Sequence, residues 1–199
     1  MPDTRSERKA ALRERLVDAA HRRIARDGLG ALRARDLAAE AGCALGSLYT
    51  AFADIDALIL AVNARTLVEL GTALARAADG KEGRPALQAL AGAYARFAFA
   101  NTRAWSALFE HRMADGGPSP DWFLAGHAAL FERLKAPLAV VEPHLSPEAL
   151  DLRARTCFAA VHGIIALSVH NRHLGLPGHS IASELEAFVD RITMGAPKA

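Results

Sequence analysis

The segment Arg35-Asp36-Leu37-Ala38-Ala39-Glu40-Ala41-Gly42-Cys43-Ala44-Leu45-Gly46-Ser47-Leu48-Tyr49-Thr50-Ala51-Phe52 holds the residues best suited to recognition chemistry. Leu37, Cys43, Leu48 and Phe52 are apolar, Ala38 is small where two helices would touch, and Gly42 stands where the chain must turn. That is the pattern of a helix-turn-helix. With the packing residues turned inward, Leu45, Ser47, Tyr49 and Thr50 remain on the exposed side of the second helix, whose width suits a DNA major groove and whose N-terminal end suits phosphates. A short helical hairpin with an Ala and a Gly also occurs as plain packing. Leu37, Leu48 and Phe52 are therefore read as core and Cys43 as a small buried hydrophobe, and function is assigned to the exposed polar set and Tyr49.

The elements that must hold this segment are helices. The 199 residues include 44 Ala against 15 Val plus Ile, and Ala favours helix where β-branched residues favour strands, so the expected class is all-α. Gly and Pro divide the chain into about nine helices. The first runs from Glu7 to Asp27 with Leu12, Leu16, Ala20 and Ile24 on one stripe, ended by Gly28 and Gly30. Ala34 to Ala41 and Leu45 to Phe52 follow as the short pair. Asp54 is the expected N-cap of a helix from Ile55 to Ala78. Further helices fit Pro85 to Phe99, Thr102 to Met113, Asp121 to about Val141, Pro147 to about His170 with Ser146 as N-cap, and Ile181 to Met194. Pro137 should kink or end its helix.

Charge and composition exclude several functions. The 24 Lys+Arg and 22 Asp+Glu leave a net charge of only +2, but residues 1–35 hold ten basic residues against five acids, and residues 36–60 hold four acids and no Lys or Arg. DNA affinity follows phosphate neutralisation, so binding should lean on Arg5, Arg8 and Lys9 at the start of the first helix. The longest C-terminal stretch free of Lys, Arg, Asp and Glu, Thr156 to Asn171, falls short of the roughly 20 apolar residues that span a bilayer, so no transmembrane helix or membrane partner is expected. The charged N-terminus lacks a signal-peptide core, which points to the cytoplasm. Cys43 and Cys157 match no disulfide or metal spacing. His170, Arg172, His173 and His179 surround a Gly/Pro loop with no carboxylate close by and read as solvated surface. With no nucleophile elbow, phosphate loop, paired acids or metal spacing, neither an enzyme, a cofactor nor a metal is expected.

Residues 7–70 resemble the DNA-binding domain of the TetR family of transcriptional repressors. The long first helix, Leu37-Ala38 to Gly42, Gly46-Ser47-Leu48-Tyr49 and the Phe52 to Leu58 lead into a connecting helix carry the resemblance. It implies phosphate or base contacts for Ser47 and Tyr49, groove-facing positions for Leu45, Gly46 and Thr50, and a backbone contact for Arg35. Three residues depart from the pattern: Ala44 for a capping Ser or Thr, Ala51 for a His, and Ile55 for a phosphate-gripping Lys. The resemblance divides the chain into a DNA-binding domain, residues 1–54, and an effector-binding and dimerisation domain, residues 55–199.

The later phrases from Ala93 to Phe109 and Phe158-Ala159-Ala160-Val161-His162-Gly163 resemble the WHG type of TetR C-terminal domain, with Phe158 where the Trp stands. That resemblance implies a homodimer built on the last two helices, a palindromic operator in double-stranded DNA and a small-molecule effector. Tyr94, Phe97, Trp105, Phe109, Trp122, Phe131 and His162 are the candidate effector contacts, and their types imply a largely apolar molecule. Ordinary core packing is the competing reading for each. His162 stands out, since a polar group among apolar neighbours needs a partner, either a ligand or a backbone carbonyl. The expected activity is that of a ligand-responsive repressor; the alternative is a sensor of the same fold that has lost tight operator binding.

Overall fold

The computed structural model describes residues 4–114, 116–170 and 174–194. Among them the chain forms nine α-helices and no strand: α1 (Thr4–Asp27), α2 (Ala34–Glu40), α3 (Leu45–Ala51), α4 (Ile55–Ala78), α5 (Gly83–Ala100), α6 (Thr102–Glu110), α7 (Asp121–Val141), α8 (Pro147–His170) and α9 (Ile181–Thr193). A 3-10 turn, Leu29–Ala31, joins α1 to α2. Arg172 and His173 of the histidine cluster lie outside the described residues.

Local chemistry accounts for the ends of these helices. Asp54 Oδ1 accepts the Ala57 N–H at 2.7 Å, and Ser146 Oγ accepts the Ala149 N–H at 3.3 Å, so both expected N-caps form. Helix α6 stops at Glu110, short of the expected Met113, because His111 turns to extended backbone (φ −61°, ψ 132°) and Asp56 Oδ2 takes the Ala114 N–H at 2.8 Å. Of the two expected outcomes at Pro137, a kink or an end, the structure excludes the end, since α7 runs through it. The ring of Pro137 is buried, and its missing N–H leaves the Arg133 carbonyl without its donor one turn back.

The chain forms two compact units, Met1–Leu67 with Asn101–Phe123, and Val68–Ala100 with Leu124–Ala199. In the first, α1 lays its stripe of Leu16, Ala20 and Ile24 against Leu37 of α2, Leu48 of α3 and Phe52, all buried. Burying each such Leu or Phe side chain stabilises the fold by about 1.5–3 kcal/mol. Helix α6 joins this unit, packing Ala107 into the same core and accepting the buried Asn63 Nδ2–H on the Ala107 carbonyl at 3.0 Å. Arg65 of α4 reaches Asp18 at 2.5 Å and Glu14 at 3.0 Å on α1.

In the second unit α5 packs along α9 and against α8. Arg84 donates to Thr193 Oγ1 and Gln88 to Asp190 Oδ1, each at 2.9 Å, which fixes the register of α5 on α9. The buried Glu142 carboxylate is held by Arg153 at 2.8 Å. Helices α4 and α8 are each long and apolar enough to cross a membrane by length and composition. Over half of the apolar stretch of α4 is buried within the protein, against 22% for α8.

Candidate nucleic-acid interface and ligand cavity

The hairpin of α2 and α3 turns through Gly42, whose φ of +65° is a left-handed conformation that residues with a β-carbon avoid. Burial of Leu37, Ala38, Leu48 and Phe52 then fixes the angle between the helices and leaves Leu45, Gly46, Tyr49 and Thr50 exposed on one side of α3. Ser47 is half-buried, and Tyr49 leaves 49% of its surface to solvent. The Thr50 hydroxyl already donates to the Gly46 carbonyl at 3.0 Å. Arg35 is exposed at the start of α2, and Arg5, Arg8 and Lys9 are exposed on the first turns of α1. The Arg8, Lys9 and Arg35 side chains have no ion pair among the described residues.

Half of the basic residues of the N-terminal segment are braces. Arg13 donates to the Ala51 carbonyl at the end of α3 and stacks its guanidinium 4.0 Å from the Phe52 ring centre. Arg15 donates to the Ala41 carbonyl at the end of α2 at 3.1 Å. Those carbonyls have no donor within their own helices, and cations are favourable at that end of the helix dipole. Arg23 bonds Asp36 at 2.6 Å and Glu40 at 3.0 Å, Arg26 pairs with Asp27 at 2.7 Å, and Arg33 donates to the Gly30 and Leu32 carbonyls. The acids of residues 36–60 are engaged as well. Arg23 holds Asp36 and Glu40, Asp54 caps α4, and Asp56 accepts the Ala114 N–H beside His111 Nε2, 3.7 Å away.

The second unit holds a partly open cavity of about 60 Å³ between α4, α5, α7, α8 and α9. Its walls are apolar, with Leu74, Leu87, Leu90, Leu130, Leu134 and Val161 prominent. Three lining residues carry heteroatoms: Tyr94, Cys157 and Arg133. The Tyr94 hydroxyl shares a 2.8 Å hydrogen bond with His162 Nδ1. Burial holds the His162 imidazole below its ordinary pKa, the charge of His170 acts in the same direction, and His162 is neutral at pH 7. Burial pushes the Cys157 thiol up, which keeps it protonated.

Around this pair Phe158 stacks on His162 with ring centres 5.5 Å apart, meets Tyr94 edge-on at 5.6 Å and meets Phe131 edge-on at 5.0 Å. Of the seven expected ligand contacts, Tyr94, Phe131 and His162 thus come together, and Tyr94 lines the cavity itself. Phe97 is half-buried on α5, outside the lining. Trp105, Phe109 and Trp122 fall in the first unit, where Trp105 is 1% exposed and meets Phe109 edge-on at 5.4 Å, while Trp122 is exposed at the start of α7. The bulk of Trp105 and Phe109 packs there, because helical spacing assigns a residue to an interior without saying which interior, and Trp122 lies at the surface.

Residues 16–62 match the family model described as bacterial regulatory proteins, tetR family. Residues 87–192 match that described as tetracyclin repressor-like, C-terminal domain. The chain belongs to the TetR family. The HTH-type nicotine-responsive transcriptional repressor HdnoR of Paenarthrobacter nicotinovorans is 37% identical over 70 residues, 35% of this chain and 36% of that protein, so the match spans about a third of that relative's length. A protein of unknown function from Rhodococcus sp. RHA1 has the same fold, with a TM-score of 0.76 and 26% identity over 94% of this chain and 96% of that one. The TetR family transcriptional regulator PfmR from Thermus thermophilus shares the fold at a TM-score of 0.62 and 20% identity, covering 92% of this chain and 99% of that one.

As a TetR protein the chain is a DNA-binding transcriptional regulator and not an enzyme. The positions at which it departs from the TetR pattern now have surroundings. Ala44 stands at the N-cap of α3 and supplies no side-chain bond to that helix. Ala51 is buried at 4% exposure and packs in the core, and Ile55 is partly buried against the same core. Of the cavity's lining residues only Tyr94 was among the expected contacts, and the most informative of those missed is charged. Arg133 sits with Leu130, Leu134 and Pro137 at spacings of three and four on α7, and a charge on an apolar stripe was the available signal.

Proposed function

We infer that this TetR protein is a ligand-responsive repressor that binds a palindromic operator as a homodimer in the cytoplasm and leaves it when a small, largely apolar molecule enters the second unit. Residues 1–54 serve as the DNA-binding domain and residues 55–199 as the effector and dimerisation domain. The observation that carries this reading is the partly open apolar cavity beside the Tyr94–His162 pair. At about 60 Å³ it is much smaller than the roughly 300–1,000 Å³ sites of drug-sized ligands. A larger occupant must therefore spread the helices, and a ligand shifts a conformational equilibrium through its differential affinity for the two states. Helix α4 runs unbroken from the first unit into the second and is the element that transmits the change.

The contacts proposed for DNA are Ser47 and Tyr49 to phosphates or bases, Leu45, Gly46 and Thr50 in the groove, Arg35 to the backbone, and Arg5, Arg8 and Lys9 to the flanking groove or phosphates. The test is a gel-shift titration, at about 50 mM salt and upward, on the DNA upstream of the protein's own gene. A specific complex that weakens with salt and dissolves on adding a compound that raises the melting temperature is expected. The uncapped start of α3 favours a second reading, a sensor that has lost tight operator binding. Absence of any specific complex at about 50 mM salt selects it.

A further inference from the structure

The cavity of the second unit has one charged residue in its lining, Arg133. It is also the one solvent-exposed lining residue. Its guanidinium lies against α4 at Gly71, where a β-carbon would stand in ordinary contact, 3.7 Å from Nη2. Its sequence neighbour Glu132 and Asp151 of α8 are committed elsewhere: Glu132 to Lys135 at 2.6 Å, and Asp151 to Lys135 at 2.9 Å and Arg155 at 2.8 Å. Arg133 has no ion pair among the described residues. The remaining polar groups of the wall offer no competing charge, since the Tyr94 hydroxyl is bonded to His162 and the buried Cys157 thiol stays protonated.

We propose that this cavity takes a compact apolar carboxylic acid, its hydrocarbon body between the leucines and its carboxylate on the Arg133 guanidinium. The proposal rests on the reading of the cavity as the effector site. A guanidinium presents a planar fork that matches a carboxylate in two parallel hydrogen bonds. Because Arg133 is exposed, the carboxylate keeps part of its hydration, and the pair avoids the full desolvation cost of a buried ion pair. The volume of about 60 Å³, several water-sized spaces, sizes the body as a single ring or a short chain. A cationic ligand of the same frame would meet Arg133 with like charge, and a neutral one would leave the guanidinium unpaired.

Isothermal titration of the full-length protein with 4-ethylbenzoate and heptanoate, each beside its amide and the amine of the same carbon frame, tests this. Acids are expected to bind at least about tenfold more tightly than their amides, with the amines weakest. Arg133→Gln should bring acid and amide to parity at an unchanged circular dichroism spectrum, and Arg133→Lys should keep part of the preference. Equal binding of acid and amide by the natural protein overturns the proposal, as does binding of neither acid or a preference that survives in Arg133→Gln. The acid-to-amide comparison needs no variant, so it stands if a variant misfolds. Release from DNA is read separately in the gel shift. Acids that bind without releasing DNA overturn the release reading and leave the acid site, whereas a neutral compound that binds this cavity and releases DNA overturns the acid site alone.

Discussion

Arg23 bridges from α1 to both carboxylates of α2, and this changes how the acidity of the helix-turn-helix should be weighed. The hydrogen bonds that it donates to Glu40 and Asp36 raise the pKa of the guanidinium and keep it charged. In turn its single positive charge is shared by two of the four acids that the sequence places between residues 36 and 60 and offsets half of their charge. Arg23→Gln should therefore weaken operator binding by exposing two negative charges beside the phosphates, and Arg23→Gln with Asp36→Asn and Glu40→Gln should recover it. A gel shift in which Arg23→Gln binds as the natural protein does refutes this role. Such a bridge cannot be read from charge counts, since a sum over a segment is blind to partners 13 and 17 residues away. His162 was more legible. Its type and apolar surroundings required a hydrogen-bond partner; the structure supplies the Tyr94 hydroxyl on α5, a side chain rather than the expected ligand or backbone carbonyl.

Among the elements, α1 does two jobs that its sequence runs together. Its N-terminal turns expose Arg5, Arg8 and Lys9, while Arg13 and Arg15 close the carbonyl ends of α3 and α2. Replacing Arg5, Arg8 and Lys9 together with Ala should lower operator affinity and reduce the salt slope by up to about three units, at roughly 0.9 per lost phosphate contact. Thr50→Ala should change the slope little, because that hydroxyl donates within α3. The opposite ranking in a salt titration overturns the assignment of the arm. Helix positions were legible wherever caps announced them: α4 begins after Asp54 and α8 after Ser146, as the sequence implies. The end of α6 was not, because the group that stops it is Asp56, 58 residues from the Ala114 N–H it accepts.

For the whole molecule, two findings lay beyond periodicity. Helix α6 belongs to the unit that carries the helix-turn-helix, through packing with α1 that a linear reading cannot see. And α8, apolar enough to resemble a membrane span, leaves Leu152 67% and Leu167 48% exposed. A surface groove beside it is lined by Leu145, Leu152, Thr156, Phe188 and Ile192. An apolar surface of this kind marks an interaction site. A two-fold pairing of α8 and α9 would cover it and set two recognition helices on successive major grooves about 34 Å apart. Leu152→Glu combined with Leu167→Glu should then convert a dimer to monomers in sedimentation velocity while the helical circular dichroism spectrum persists, since neither side chain is in the core. Operator affinity should fall with dimerisation, because each monomer would hold one half-site alone. A natural protein that sediments as a monomer at tens of micromolar, or a double variant that stays dimeric, moves the interface off this face.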